Sequence, residues 1–395
     1  MIFSSYDRTD ASPKRGDESD FEFLDRSARK EICNVREALE EWISHYPVDQ
    51  QHEVVRRIQS RDLTNFRSAT FELLLYVYLT RQGWVLEPHP VLENNKTTRP
   101  DFLAANSRGQ RFYLEAVLAS QVNDTDPAGE ARKQAVFDSL NKVGHTNFTV
   151  ALTSNGLPST QPSGAKIRNE LIDWLNTLDP AHVLASHRGE NNDPLPERVF
   201  EHEDWELKVT PIPILPERRG QQKCLIQGIS GEGQLIDDWT PIRNAIRRKG
   251  KRYGSLDLPL VVAVNIDSFI LDRIDEMQAL YGQEQYFLGV RDLQADPESA
   301  EPRFERSSNG AWHGPTGPRS KRVSGAWIFN DLTPYNICSR RHTLYVNPWA
   351  NYSVPDDLLR LPHAIAEQGG QMKWGDGLGL CDALQLPKNW PEIWR

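Results

Sequence analysis

Three carboxylates in apolar surroundings set the chemistry this chain could do. In the segment Arg111 to Ala119, alternation puts Phe112, Leu114, Ala116 and Leu118 on one strand face and Tyr113, Glu115, Val117 and Ala119 on the other. An ionised group among Leu, Ala and Val is costly unless something pairs with it. Pro100-Asp101-Phe102-Leu103 offers a neighbour, because Asn106 to Gln110 reads as a hairpin turn that brings Asp101 across from Glu115. Hairpin neighbours approach within roughly 5 Å between Cβ atoms. Two carboxylates that close repel unless a cation or a proton sits between them. Mg²⁺ is the natural occupant, since it binds through one or two carboxylates plus waters and substrate phosphate. Glu72, inside the apolar stretch Phe71 to Leu75, is the third member, on a helix that packing on the hairpin would aim at the same ion.

These side chains need elements to hold them. Asp25 to His45 and Val48 to Gln59 read as helices separated by Pro47, and Asp62 or Thr64 offers an N-cap for a helix over Phe66 to Gln82 that Gly83 stops. Strands follow at Trp84 to Leu92, Arg99 to Ala105 and Arg111 to Ala119. A polar helix from about Asp126 to Val143 leads to a strand at Phe148 to Thr153. Further on, Gly164 to Leu178, Ile236 to Arg252 and Ser268 to Tyr281 read as helices. Trp205 to Leu215, Leu258 to Ile266, Arg322 to Asn330 and His342 to Asn347 read as strands. Ser186 to Glu203 and Asp292 to Ser320 have the composition of loops, the latter mobile.

The expected organisation is a disordered polar leader over 1–24, N-terminal helices over 25–62 and a core over 63–155. An α/β continuation of the core over 156–285 and a strand-containing, Trp- and Pro-rich region over 286–395 complete it. Later elements could join the first sheet, which would make the chain one elaborated α/β domain.

Glu72, then Pro100-Asp101, then Glu115 on the following strand, resembles the PD-(D/E)xK, or restriction-endonuclease-like, nuclease superfamily over about ninety residues. The resemblance implies an α/β fold with a central mixed β-sheet flanked by helices, extended here by the N-terminal helices and a C-terminal α+β elaboration. It implies that Asp101 and Glu115 hold Mg²⁺ (or Mn²⁺), that Glu72 assists, and that a water near the metal attacks a phosphodiester. The family places a lysine two residues after the second acid, where it orients that water and offsets developing charge. Here that position is Val117. Arg132 and Lys133 on the next helix are candidate substitutes, Lys133 foremost, with Lys96, Lys249 and Lys251 behind them. The chain also resembles a group of bacterial proteins of similar length, through Arg99 to Phe102, Arg111 to Ala116, Lys251 to Gly254, Asp257 to Leu260, Val323 to Gly325 and Asn347 to Ala350.

The expected function is Mg²⁺-dependent hydrolysis of DNA, with a role in defence against foreign DNA. The alternative is a catalytically inactive module of the same fold that binds nucleic acid or a partner protein. Arg243, Arg247, Arg248, Lys249, Lys251 and Arg252 could track a phosphate backbone, with Tyr253 stacking on a base. The competing reading is a solvated helix face balanced by Asp237 and Asp238. A homodimer or a defence-system partner fits either function.

Other classes find little support. The net charge of −9 gives no global basic footprint. The histidines do not cluster into a zinc motif, and no nucleophile elbow is present. Gly228 to Gly233 lacks the Lys-Ser/Thr of a P-loop and reads as a turn. The longest apolar run, Phe71 to Leu79, is too short to span a membrane. The four cysteines form no C-x-x-C pair, which argues against a disulfide scaffold and makes a reducing cytoplasm the simplest setting.

Overall fold

The structure, a computed structural model, describes every residue except 16–17, 95, 121–126, 189–192, 217–218, 221–223, 231–238, 269–270, 288–302, 368–370 and 393–395. The chain divides into two compact units, Met1–Ser12 with Ser19–Asn123 and Asp237–Arg395, and Pro13–Glu18 with Asp124–Ile236.

In chain order the first unit starts with α1 (Asp20–Arg26), α2 (Lys30–Ser44), α3 (Val48–Ile58) and α4 (Leu63–Arg81), then β1 (Trp84–Pro88), β2 (Phe102–Asn106) and β3 (Arg111–Ser120). The second unit comprises α5 (Pro127–Leu140), β4 (Phe148–Asn155), α6 (Gly164–Asn176), α7 (Pro180–Arg188), β5 (Arg198–His202), β6 (Trp205–Pro213) and β7 (Ile226–Ser230). The first unit resumes with α8 (Trp239–Arg252), β8 (Leu260–Asp267), α9 (Arg273–Tyr281), β9 (Glu284–Phe287), β10 (Arg303–Arg306), β11 (His313–Gly314) and β12 (Gly317–Pro318). It ends with β13 (Val323–Asn330), β14 (His342–Val346), β15 (His363–Ala366), β16 (Met372–Gly375) and a short helix, Leu380–Ala383.

An eight-stranded mixed sheet in the order β1-β2-β3-β8-β13-β14-β15-β16 forms the first unit's centre. β1, β2 and β3 are the antiparallel meander expected from the sequence, closed by the Asn106 to Gln110 turn. β3, β8 and β13 run parallel, and their middles are buried on both faces, which is why Leu260 to Ile266 is one unbroken apolar run apart from Asn265. One sheet face presents Phe102, Phe112, Leu114, Val261 and Trp327 to α4 and its neighbours. The other presents Tyr113, Val117, Val262, Val264 and Ile328 to α8 and α9. α4 begins where Asp62 caps it, its side chain accepting from the Asn65 amide at 2.9 Å.

The second unit has its own core. β5-β6-β4-β7 make a four-stranded sheet, and Phe148, Val150, Leu152, Trp205 and Leu207 pack with Val136, Phe137, Leu171 and Leu175 from its helices.

Several expectations need correction. β4 does not extend the meander; β8 does, as the parallel neighbour of β3, so the core expected over 63–155 is split at Asn123. Periodicity identifies a strand but not the sheet it joins. The leader expected to be disordered carries α1, with a Ser19–Glu22 capping box, and buries Ile2 and Phe3, whose amides donate to Glu40 at 2.6 and 2.8 Å. The helix expected from Asp25 is broken at Ser27. α7 and β5 occupy much of the loop expected at Ser186 to Glu203, whose residues 189–192 lie outside the described set. Of the mobile loop expected at Asp292 to Ser320, 292–302 lie outside the described residues; the remainder holds β10, β11 and β12 and the fully buried Trp312. Gly228 lies within β7 rather than a turn, and Gly231 to Gly233, Asp126, Asp237 and Asp238 lie outside the described residues. Cys338 and Cys381 are paired, with Cα atoms 4.7 Å apart, where no disulfide was expected; two cysteines 43 residues apart carry no spacing signal. No helix among the described residues is long and apolar enough to cross a membrane.

Candidate functional site

Glu115 is the most deeply enclosed of the three carboxylates, at 1% exposure. It points from β3 towards α8, on the face shared by Tyr113 and Val117, as the alternation requires. Its partners come from one side of α8. Lys249 Nζ donates to Glu115 Oε1, and the Tyr253 hydroxyl donates to Oε2. Arg252 stands 3.9 Å from Oε1. Burial and the adjacent carboxylate push the Tyr253 phenol well above its ordinary range, so it is a donor at all working pH values.

α8 reaches this depth because its inner stripe is Ile242, Ala245, Ile246, Lys249 and Gly250, positions that recur every three or four residues, and Tyr253 follows directly after its last turn. Gly250 is needed there: a Cβ at that position would lie 2.8 Å from Val323 of β13. The helix can therefore lie close to the sheet and deliver the Lys249 amine to the strand.

Asp101 immediately precedes β2, one step beyond the Phe102–Leu114 pair, which sets it opposite Glu115. Its Oδ2 accepts from the Ala116 amide at 2.7 Å. Burial raises the Asp101 pKa well above the usual carboxylate value, and the Glu115 and Glu72 charges raise it further; the Ala116 amide and Lys249 oppose the rise. Asp101 therefore feels both of the other acids expected from the sequence.

Glu72 has a different partner. Arg57 of α3 forms a two-pronged pair with it, Nη1 to Oε2 at 2.7 Å and Nη2 to Oε1 at 2.6 Å. Glu72 is 8% exposed, so this ion pair accounts for a carboxylate in an apolar helix without any ligand.

A divalent ion at this place would find two carboxylates, Asp101 and Glu115. Each oxygen of Glu115 retains a second lone pair beside its hydrogen bond. Asp101 and Glu115 together match the one or two carboxylates from which Mg²⁺ is usually held, the other positions going to water and phosphate. Glu72 does not fit as a third ligand while both of its oxygens are on Arg57. Among the described residues, no three His, Cys, Asp or Glu side chains are grouped to hold a metal.

Lys133 lies on α5 in the second unit. Lys96 is exposed. Arg248, Lys251 and Arg252 are exposed on α8, whereas Arg247 turns inward and donates to the Asn309 and Gly310 carbonyls at 3.0 and 2.7 Å. Tyr253, read as a base-stacking residue, is 1% exposed and spends its hydroxyl on Glu115.

The residue that sequence reasoning undervalued is Lys249. Its signal was present: a lysine and a tyrosine four residues apart on the apolar stripe of a helix need a buried acceptor. Comparison with family models, with curated proteins and with solved structures finds no match, so the carboxylate–lysine geometry alone carries the functional argument.

Proposed function

We propose that the first unit is a metal-dependent phosphodiesterase acting on DNA, built on a restriction-endonuclease-like core of α4, β1, β2, β3, β8 and α8. The observation that carries this reading is Lys249 Nζ on Glu115 Oε1, beside Asp101. It supplies, from α8, the cation that Val117 does not supply from β3. Asp101 and Glu115 would hold Mg²⁺ or Mn²⁺. Such an ion polarises a phosphoryl oxygen and lowers the pKa of a bound water. Lys249 would orient the attacking water and offset charge that develops on the phosphate. Tyr253 fixes Glu115 by its second oxygen, and Arg57 holds both oxygens of Glu72. Arg248, Lys251 and Arg252, exposed on the same helix, would meet the phosphate backbone.

The test is cleavage of single- and double-stranded DNA by the purified chain with Mg²⁺ or Mn²⁺, beside Glu115→Ala. Metal-dependent cleavage by the parent and its loss in the variant are expected. No metal-dependent cleavage of any DNA or RNA, or an equally active variant, would overturn the reading. A non-catalytic nucleic-acid-binding module is the second reading, favoured by the absence of a three-ligand group among the described residues. It predicts DNA binding that survives Asp101→Ala and weakens when Lys251 and Arg252 are neutralised.

A further inference from the structure

A cavity of about 250 Å³ lies between α8 and the last residues of β3. β2 pairs with β3 from Arg111 to Leu114, whereas β8 pairs with it from Tyr113 to Ser120, so beyond Leu114 no described strand covers β3 on the β2 side. The amides alternate along β3. Tyr113 donates to the Pro259 carbonyl at the start of β8, and Ala116 donates the other way, to Asp101. Leu118 follows Ala116 on the open side and, with Ala119, forms one wall of the cavity. Asn244, Ala245, Arg247 and Arg248 of α8 form the other.

The polar side chains on the helix wall present donors. Arg248 is exposed, and its guanidinium has no hydrogen bond or ion pair among the described residues. Asn244 is exposed too, and its side-chain oxygen accepts from Arg243 Nε at 3.2 Å, which leaves its amide nitrogen as the open donor. Further positive charge stands close by. Burial holds the Arg247 pKa below its ordinary value, and the Arg243 and Arg319 charges lower it further. Among the described lining residues there is no carboxylate. Open donors and surplus positive charge without an acid call for an anion. The volume is below the about 300–1,000 Å³ of drug-sized sites, which suits a phosphate group better than a base or a peptide.

We propose that the cavity between Leu118–Ala119 and Asn244–Arg248 is a phosphate subsite, which seats one backbone phosphate of the strand that reaches Lys249 and Glu115. Arg248 offers its planar fork to two phosphate oxygens, and the Asn244 amide donates to a third. The place is close to the acids without overlapping them. Ala245 lies one turn before Lys249, about 6 Å along α8, and Leu118 lies three residues beyond Glu115, roughly 10 Å along β3. With about 3.4 Å of rise per phosphate along one strand, the seated phosphate is about two or three nucleotides from the reacting one. Holding it sets the register of the strand on Lys249 and Glu115. The strand as the source of the phosphate rests on the nuclease reading; the cavity's affinity for a phosphate group does not.

The experiment is calorimetric titration of the full chain, in chelator, with inorganic phosphate and with a short single-stranded thymidine oligomer. Lys373→Gln, at an exposed position on β16 at the far edge of the sheet, is the charge control. Inorganic phosphate binds the parent with Kd of about 10 mM or tighter, and the oligomer binds more tightly. Arg248→Gln weakens both about tenfold and flattens the salt dependence of oligomer binding by about 0.7 in slope. Asn244→Asp keeps the acceptor for Arg243 but puts a carboxylate into the cavity, and weakens both by more than tenfold. Lys373→Gln changes neither by more than about twofold. No phosphate binding up to about 100 mM, or equal losses in Arg248→Gln and Lys373→Gln, would overturn the proposal. Phosphate binding without oligomer binding overturns the strand as the source. A parent that binds phosphate through Arg248 but never cleaves DNA overturns the nuclease reading alone. A parent that cleaves while phosphate affinity and the KM for DNA are indifferent to Arg248→Gln overturns the subsite alone.

Discussion

Two glutamates in the first unit solve the same problem with different outcomes. Glu115 and Glu276 are 1% and 2% exposed, and each receives a tyrosine hydroxyl and a basic side chain. Glu115 has Tyr253 and Lys249; Glu276, on α9, has Tyr345 at 2.5 Å and Arg341 at 2.7 Å. The difference lies in the next neighbour. Glu115 faces Asp101 across the hairpin, and Asp101 also feels the Glu72 charge, whereas the like charge that acts on Glu276 is that of Asp272. At Glu276, burial outweighs Arg341, Tyr345 and Arg273 and raises the carboxyl on its own. At Glu115 the same pair has a second carboxyl beside it, Asp101, which burial raises first and the Glu115 and Glu72 charges raise further. A buried, salt-bridged glutamate is therefore not by itself a site; a paired one with a strained carboxyl beside it is a candidate.

The largest effects expected are at the cations. Lys249→Met strands Glu115, since the two side chains are only 12% and 2% exposed, and costs about 3 kcal/mol or more of stability. It also lowers metal-dependent cleavage by about a hundredfold or more, read on double-stranded DNA at a temperature where the variant is folded. Arg341→Met costs less, about 2 kcal/mol, because the Arg341 side chain is 34% exposed, and leaves cleavage unchanged. Equal cleavage losses in the two variants would dissolve the contrast.

pH separates the pair next. Burial, opposed by Arg341 and Tyr345, raises Glu276 to about 7. A raised folded-state pKa means that its stabilising contribution is complete below the ordinary carboxylate value and is lost as pH rises through about 7. Glu276→Gln should remove a decline of about 3 kcal/mol across that window, measured by urea unfolding at a series of pH values. Asp101, also raised, adds a loss of the same sign, which Mg²⁺ should suppress and which Glu276→Gln should leave intact. The smallest effects belong to the hydroxyls. Tyr253→Phe and Tyr345→Phe each cost about 1–2 kcal/mol in unfolding, and only the first alters cleavage.

How much of this was legible depends on distance along the chain. The Asp101–Glu115 pair was readable because a hairpin turn of five residues fixes their register, and alternation then decides which face Glu115 takes. Lys249 was not, because it meets Glu115 from 134 residues away, on a helix whose polar residues invite a solvated reading. Its place on the stripe with Ile242, Ala245 and Ile246 was the clue. The apolar stretch around Glu72 points it to the acids, but Arg57, one helix earlier, has the length and the planar fork to take it first. The second unit escaped notice because α5 and β4 continue the local pattern smoothly, and nothing in their periodicity says that β3 will pair with β8 instead. Ile2 and Phe3 were lost in an otherwise polar segment.

The claim that matters most is that Asp101 and Glu115 want a divalent cation between them. Calorimetric titration of Mn²⁺ into the metal-free chain near neutral pH, beside Asp101→Asn, addresses it without any substrate. The account predicts one ion bound per parent chain, with proton release from the raised Asp101, and no binding at that site in the variant. A parent that takes up no ion, or a variant that binds as the parent does, would contradict it.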